Sequence, residues 1–217
     1  MKIGFYQPHL CLRGTTVAMF DYAYHNQAIL GNESIIFYHK NHKHNNPTTI
    51  EKFSLFECIA LEGSHDLDKE LTAHGVEAVY ITKGGRKNDG RMTSACKTLI
   101  QAIAVVPPSE KHGDVYAYGS YWLSNHCSGG KIPAVPYMID VPAIDEDFRE
   151  YLGISSHATV FGRNGGADTW NLPFSNEVLG EVLNTRDDIY FLFQNTPIGF
   201  NHRNIIHLPA TSDMVFK

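Results

Sequence analysis

Short apolar runs alternate along the chain with longer stretches whose apolar positions recur at helical spacing. That alternation predicts βαβ units on a parallel sheet, an α/β fold of Rossmann-like type. Residues 3–6 form the first expected strand, and 16–30 carry Val17, Met19, Phe20, Ala23, Tyr24 and Ala28 on a helical stripe that Gly31 closes. Residues 34–38 are β-branched and aromatic and read as the second strand, followed by a polar loop and a short helix around Glu51. A strand at 56–61, a helix at 65–74 between Ser64 and Gly75, and a strand at 78–82 continue the rhythm. The glycine-rich stretch 83–91 is a loop by composition, and 98–106 reads as a buried strand stopped by Pro107 and Pro108. The apolar run 115–123 follows, and 135–139 is expected to be the last strand of this half. An acid-rich helix at 145–152, ended by Gly153, marks a boundary near 140–155. Beyond it the pattern restarts with a strand at 159–162, a glycine-rich turn, a helix at 174–184, a strand at 189–193 and an apolar run at 205–208. About three strands in roughly 60 residues is less than an independent domain usually holds.

Composition narrows the function classes. With 18 Lys and Arg against 23 Asp and Glu, the chain lacks the cationic footprint of a nucleic-acid binder. The 12 His never adopt an HExxH spacing, and His42 and His44 read as loop residues. Cys11, Cys58, Cys96 and Cys127 are far apart without a CxxC, so free thiols are expected. The opening MKIGFYQPH fits neither a secretory leader nor a membrane span, so a soluble, cytoplasmic protein is expected.

Two loops carry candidate chemistry. The first βα loop ends in LRGTT, where Gly14 would let a phosphate or sugar approach the N-terminus of the helix, with Thr15 beside it. The same residues also read as a plain tight turn with Thr15 or Thr16 as the cap. The loop contains neither GxGxxG nor GxxxxGK[ST], so neither a dinucleotide fingerprint nor a P-loop is supported. In the second half, Gly162, Gly165 and Gly166 surround Arg163 after a strand and before a helix, a setting in which Arg pairs with phosphate or simply faces solvent. Two such halves point to a cleft with ligands at the carboxyl ends of the strands. His126 and Asp140, expected near the ends of late strands, are placed to reach a hydroxyl there as a general base, or serve surface and hinge roles. Asp66 and Asp68 read as first-turn acids of a helix rather than metal ligands.

The opening MKIGFYQPHLCLRGTTVAMFDYA, the strand NESIIFY, and VFGRNGGADTWNLPF followed by DDIYFLFQNT and NIIHLP resemble the retaining glycosyltransferases of GT-B fold, group-1 type. The resemblance implies residues 1–140 as an acceptor-type Rossmann-like domain, 141–156 as a linker or hinge, and 157–217 as part of a donor-type domain. It implies transfer of a sugar from a nucleotide-diphosphate donor to a hydroxyl acceptor, with no cofactor and no obligatory metal. Gly14, Thr15, Gly162, Arg163 and Gly165 would contact the donor phosphates, and His126 matches a cleft histidine with a catalytic role. There are departures: no Lys follows Arg163 within RNGGADTWN, and the ExxxxxxxE motif expected after HLPATSD is not reached before Lys217. The expectation is therefore a chain cut within its donor domain, inactive or incomplete, with self-association or a second chain completing it. The alternative is a non-catalytic sugar- or nucleotide-binding or interaction subunit.

Overall fold

A computed structural model describes residues 1–63, 66–138, 147–166, 170 and 172–209. The chain divides into two compact units, Met1–Asp140 and Val141–Lys217.

The first unit is built on six parallel strands, β1 (Lys2–Tyr6), β2 (Glu33–His39), β3 (Glu57–Leu61), β4 (Ala78–Lys83), β5 (Lys97–Ala102) and β6 (Val115–Tyr118), ordered β3-β2-β1-β4-β5-β6. This is the order of a doubly wound dinucleotide-type sheet, with a reversal between β1 and β4. Successive side chains point to opposite faces, and both faces are covered, which is why the strands read as unbroken apolar runs. On one face Ile3, Phe5 and Ile36 pack under Met19 and Ala23 of α1 (Gly14–Ala28). On the other, Ile35, Phe37, Val79 and Ile81 meet Leu67 and Leu71 of α3 (Asp66–Ala73). Between them in the chain, the short α2 (Pro47–Lys52) is capped by Asn46, whose side chain accepts the Thr49 N–H at 3.0 Å.

Three expectations need correction. The strand at 98–106 ends at Ala102, because Lys83, its last partner in the register, ends β4. The apolar run 115–123 is a strand followed by a helix. After β6, Ser120 accepts the Leu123 N–H at 3.1 Å and opens α4 (Tyr121–Ser128), which Gly129 closes at φ 59°. The expected strand at 135–139 is absent among its described residues: a single bridge, Tyr118 to Ala134, lies just before it, and Pro133 and Pro136 have no N–H to extend a ladder. Residue 139 lies outside the described residues.

The second unit carries β7 (Thr159–Asn164), α5 (Pro173–Thr185), β8 (Ile189–Gln194) and β9 (Ile205–Leu208), with a parallel sheet ordered β7-β8-β9. Leu179 and Leu183 of α5 pack on Phe193 and Ile205. Of the expected helix at 145–152, the described part is a single turn closed by the Leu152 N–H to the Phe148 carbonyl at 3.0 Å, and Gly153 ends it at φ 68°. No helix among the described residues is long and apolar enough to cross a membrane.

Candidate functional site

Parallel strands deliver their following loops to one end of a sheet, so the loops after β1 and β2 lie side by side. Here they are locked together. Leu10, fully buried, donates its N–H to Asn45 at 3.1 Å, while its carbonyl accepts the Asn46 N–H at 2.8 Å. Buried Gln7 ties the first loop to α1: its amide donates to the Thr15 carbonyl at 2.9 Å and accepts from the Thr16 hydroxyl at 3.0 Å. The start of α1 is thus held by its flank, leaving its N-terminus open.

That N-terminus is electropositive and unsatisfied. Arg13 at the N-cap position makes no capping bond, the first turn holds no acid, and no acceptor meets the Gly14 and Thr15 N–H groups among the described residues. Gly14 is exposed, and a Cβ built on it would find no atom within 4 Å. Its glycine identity therefore leaves space rather than relieving a clash.

Beside it the two loops bring together His9, His42 and His44. The His9 and His42 rings stack at 4.5 Å and 16°, and His44 lies 5.5 Å from His9 and 5.4 Å from His42. Burial first, then His42, His44 and Arg13, hold the His9 pKa below its ordinary value. His44 is lowered too, by desolvation and then by Lys43, His42 and Arg13. His39, whose Nε2 sits 3.0 Å from the Tyr6 hydroxyl, is lowered by burial, His42 and Arg91, with Asp66 opposing. No carboxylate counters His9 or His44 among the described residues. Face-to-face rings send their nitrogen lone pairs outward rather than toward one point, and no group of His, Cys, Asp or Glu among the described residues is arranged to hold a metal. The arrangement suits an anion.

In the second unit β7 runs through Gly162 and Arg163 to Asn164, so both lie in the strand rather than in the turn after it. The Arg163 guanidinium stands over the Trp170 ring at 5.0 Å, and Trp170 is anchored by its indole N–H to Asn176 at 2.9 Å. Gly165 donates to the Gln194 carbonyl at 3.3 Å. A cavity of about 410 Å³ opens here between Arg163, Trp170 and Phe191.

His126 is on α4, not at a strand end; its ring stacks on Trp122, and it makes no hydrogen bond or ion pair among the described residues. Asp140 lies outside the described residues. Asp66 accepts the Gly63 N–H at 2.8 Å and Asp68 pairs with Arg91 at 3.5 Å, both in the first turn of α3 as expected. Sequence reading overlooked the His9, His42, His44 and Arg13 group. The available signal was histidines in the loops after both of the first two strands. A cavity of about 550 Å³ lies apart from these loops, between α1 and the β4–β6 surface, lined by Tyr22, Tyr80 and Gln101 among others.

No family model and no curated protein matches the chain. Solved structures do. A glycosyltransferase from Rickettsia africae ESF-5 is similar with a TM-score of 0.61 at 14% identity, over 98% of this chain and 69% of that one. A Listeria monocytogenes protein assigned as a UDP-N-acetylglucosamine 2-epimerase gives 0.55 at 11%, over 96% and 69%. S. aureus MnaA, solved with UDP, gives 0.57 at 10%, over 97% and 68%. Across such structures the chain spans 63% to 69% of the other protein's length. The class these findings define is a Rossmann-like α/β protein of GT-B-like fold.

Proposed function

We propose that the chain is a retaining-type glycosyltransferase that moves a sugar from a nucleotide diphosphate to a hydroxyl acceptor, its phosphates held at the carboxyl ends of β1 and β2. The observation that carries this reading is the group Arg13, His9, His42 and His44 beside the open N-terminus of α1. Negative charge grows on the leaving diphosphate as the glycosidic bond breaks, so cations and N–H groups already in place stabilise the transition state. Gly14 and Thr15 supply the N–H groups. In the second unit, taken by itself, Arg163 with Gly162 and Gly165 beside it offers a phosphate contact of its own. The UDP solved with MnaA, a protein of similar fold, supports a nucleotide as the ligand class.

A bound phosphate favours protonated imidazole, so His9 and His44, held low in the free protein, rise on binding and take up protons. Binding therefore tightens as pH falls from about 7.5 to about 6. With side chains as the cations, EDTA leaves binding unchanged. A second reading, binding without transfer, is favoured by His126 having no hydrogen-bonding partner among the described residues to orient it as a base. Isothermal titration with UDP tests the site: roughly millimolar affinity is expected, weakened about tenfold by Arg13→Ala. UDP binding indifferent to both Arg13→Ala and His42→Ala would overturn the placement, and a donor-hydrolysis assay separates the two readings.

A further inference from the structure

Helix α4 presents two unlike faces. Its inner face is fixed: Leu123 is buried, the Ser124 hydroxyl donates to the Ile132 carbonyl at 2.5 Å, and Ser128 accepts the Ile132 N–H at 3.0 Å. Its outer face exposes Tyr121, Trp122, Asn125 and His126. Trp122 is 63% exposed and Tyr121 69%, unusual for side chains of that apolar area. The Trp122 and His126 rings lie nearly parallel, 4.7 Å apart with 8° between planes, and no other ring touches Trp122 among the described residues. One face of the indole is therefore backed and the other meets water.

We propose that Tyr121, Trp122, Asn125 and His126 form a carbohydrate subsite in which the free face of Trp122 stacks a pyranose ring. The inference rests on the glycosyltransferase reading for its biological sense, the ring being that of the acceptor. The chemistry is that of a sugar, which has both an apolar C–H face and a rim of hydroxyls. The polarised C–H groups meet the negative face of the indole. The Asn125 amide and the Tyr121 hydroxyl offer donors and acceptors to the rim. His126 holds the indole in one orientation, so little side-chain freedom is lost on binding. The exposed positions Tyr121, Trp122, Asn125 and His126 are all aromatic or polar, the mixture that a sugar's C–H face and hydroxyl rim call for.

The chain has two tryptophans, Trp122 and Trp170, so its NMR spectrum has two indole N–H signals, and Trp122→Phe assigns them. Full-length protein is titrated with methyl β-D-glucopyranoside and with chitotriose, without nucleotide. Saturable movement of the Trp122 signal with millimolar-range affinity, tighter for the trisaccharide, is expected, with the Trp170 signal unmoved. Chitotriose affinity, followed on ligand signals, should fall about threefold in Trp122→Phe, which keeps a ring, and about tenfold or more in Trp122→Ala. UDP binding is unchanged in both variants, so loss of one site is distinguishable from loss of the other. A Trp122 signal unmoved by either sugar, moved equally by glycerol, or moved by protein concentration alone would overturn the proposal.

Discussion

Replacing Asp89 with Ala strands a buried charge. The Lys83 side chain, at the end of β4, is 4% exposed, and its ammonium lies 3.0 Å from the Asp89 carboxylate. Its other contact is His112 Nε2 at 3.1 Å; an ammonium can only donate, so Nε2 accepts and Nδ1 donates to the Glu110 carbonyl at 2.6 Å. Asp89 also accepts the Gly85 and Arg86 N–H groups at 2.7 and 2.9 Å. Breaking a buried pair costs about 3–5 kcal/mol, but Asp89 is 32% exposed and water can partly replace it. The expected loss is about 3 kcal/mol, or roughly 10 °C in the melting of the first unit. Burial pushes the Asp89 pKa up, but the Arg86 N–H, Lys83 and the Gly85 N–H outweigh it and hold it below the ordinary value. Its contribution is therefore complete above about pH 4 and is lost as pH falls through the lower folded pKa. Calorimetry of wild type and Asp89→Ala should show a constant gap near neutrality that closes in acid. Adding Lys83→Met should recover stability by removing the stranded charge. A loss below about 0.5 kcal/mol, or a double variant no more stable than Asp89→Ala, would refute the reasoning.

Gly85→Ala should destabilise the same loop by about 3 kcal/mol in urea titration, since Gly85 sits at φ +123° and a Cβ would lie 2.7 Å from the Ala102 Cβ and 2.8 Å from the Tyr116 hydroxyl. Burial, helped by Glu57, raises the Cys58 thiol to about 11, and the thiol also lies 3.2 Å from the Phe53 carbonyl. At pH 8 about a thousandth of it is thiolate, so peptide mapping after brief alkylation should find Cys58 unmodified.

The central strands were legible because they are apolar on both faces and bounded by turn chemistry, as ESIIFYH is before the polar loop after it. Failures arose where one apolar run crosses an element boundary. In VYAYGSYWLSNHCSGG the cap at Ser120 and the stop at Gly129 were present, but aromatics on both sides of the boundary masked the change of period. The candidate site was half legible. Gly14 and Thr15 follow from the βα pattern, whereas His9 and His42 meet only because Leu10, Asn45 and Asn46 join two loops more than thirty residues apart. Pairing of that range leaves no trace in local periodicity.

The strand order also bears on synthesis. The strand made first, β1, ends up between β2 and β4, so one of its edges stays unpaired until residues 78–83 have left the ribosome. Until then β1, β2 and β3 can form a sheet open along β1, whose residues 3–6 are all buried in the finished fold, an edge on which nascent chains can pair wrongly. The wait is long in sequence but asks for little afterwards: β4 closes β1, and β5 and β6 then add outward in the order in which they are made.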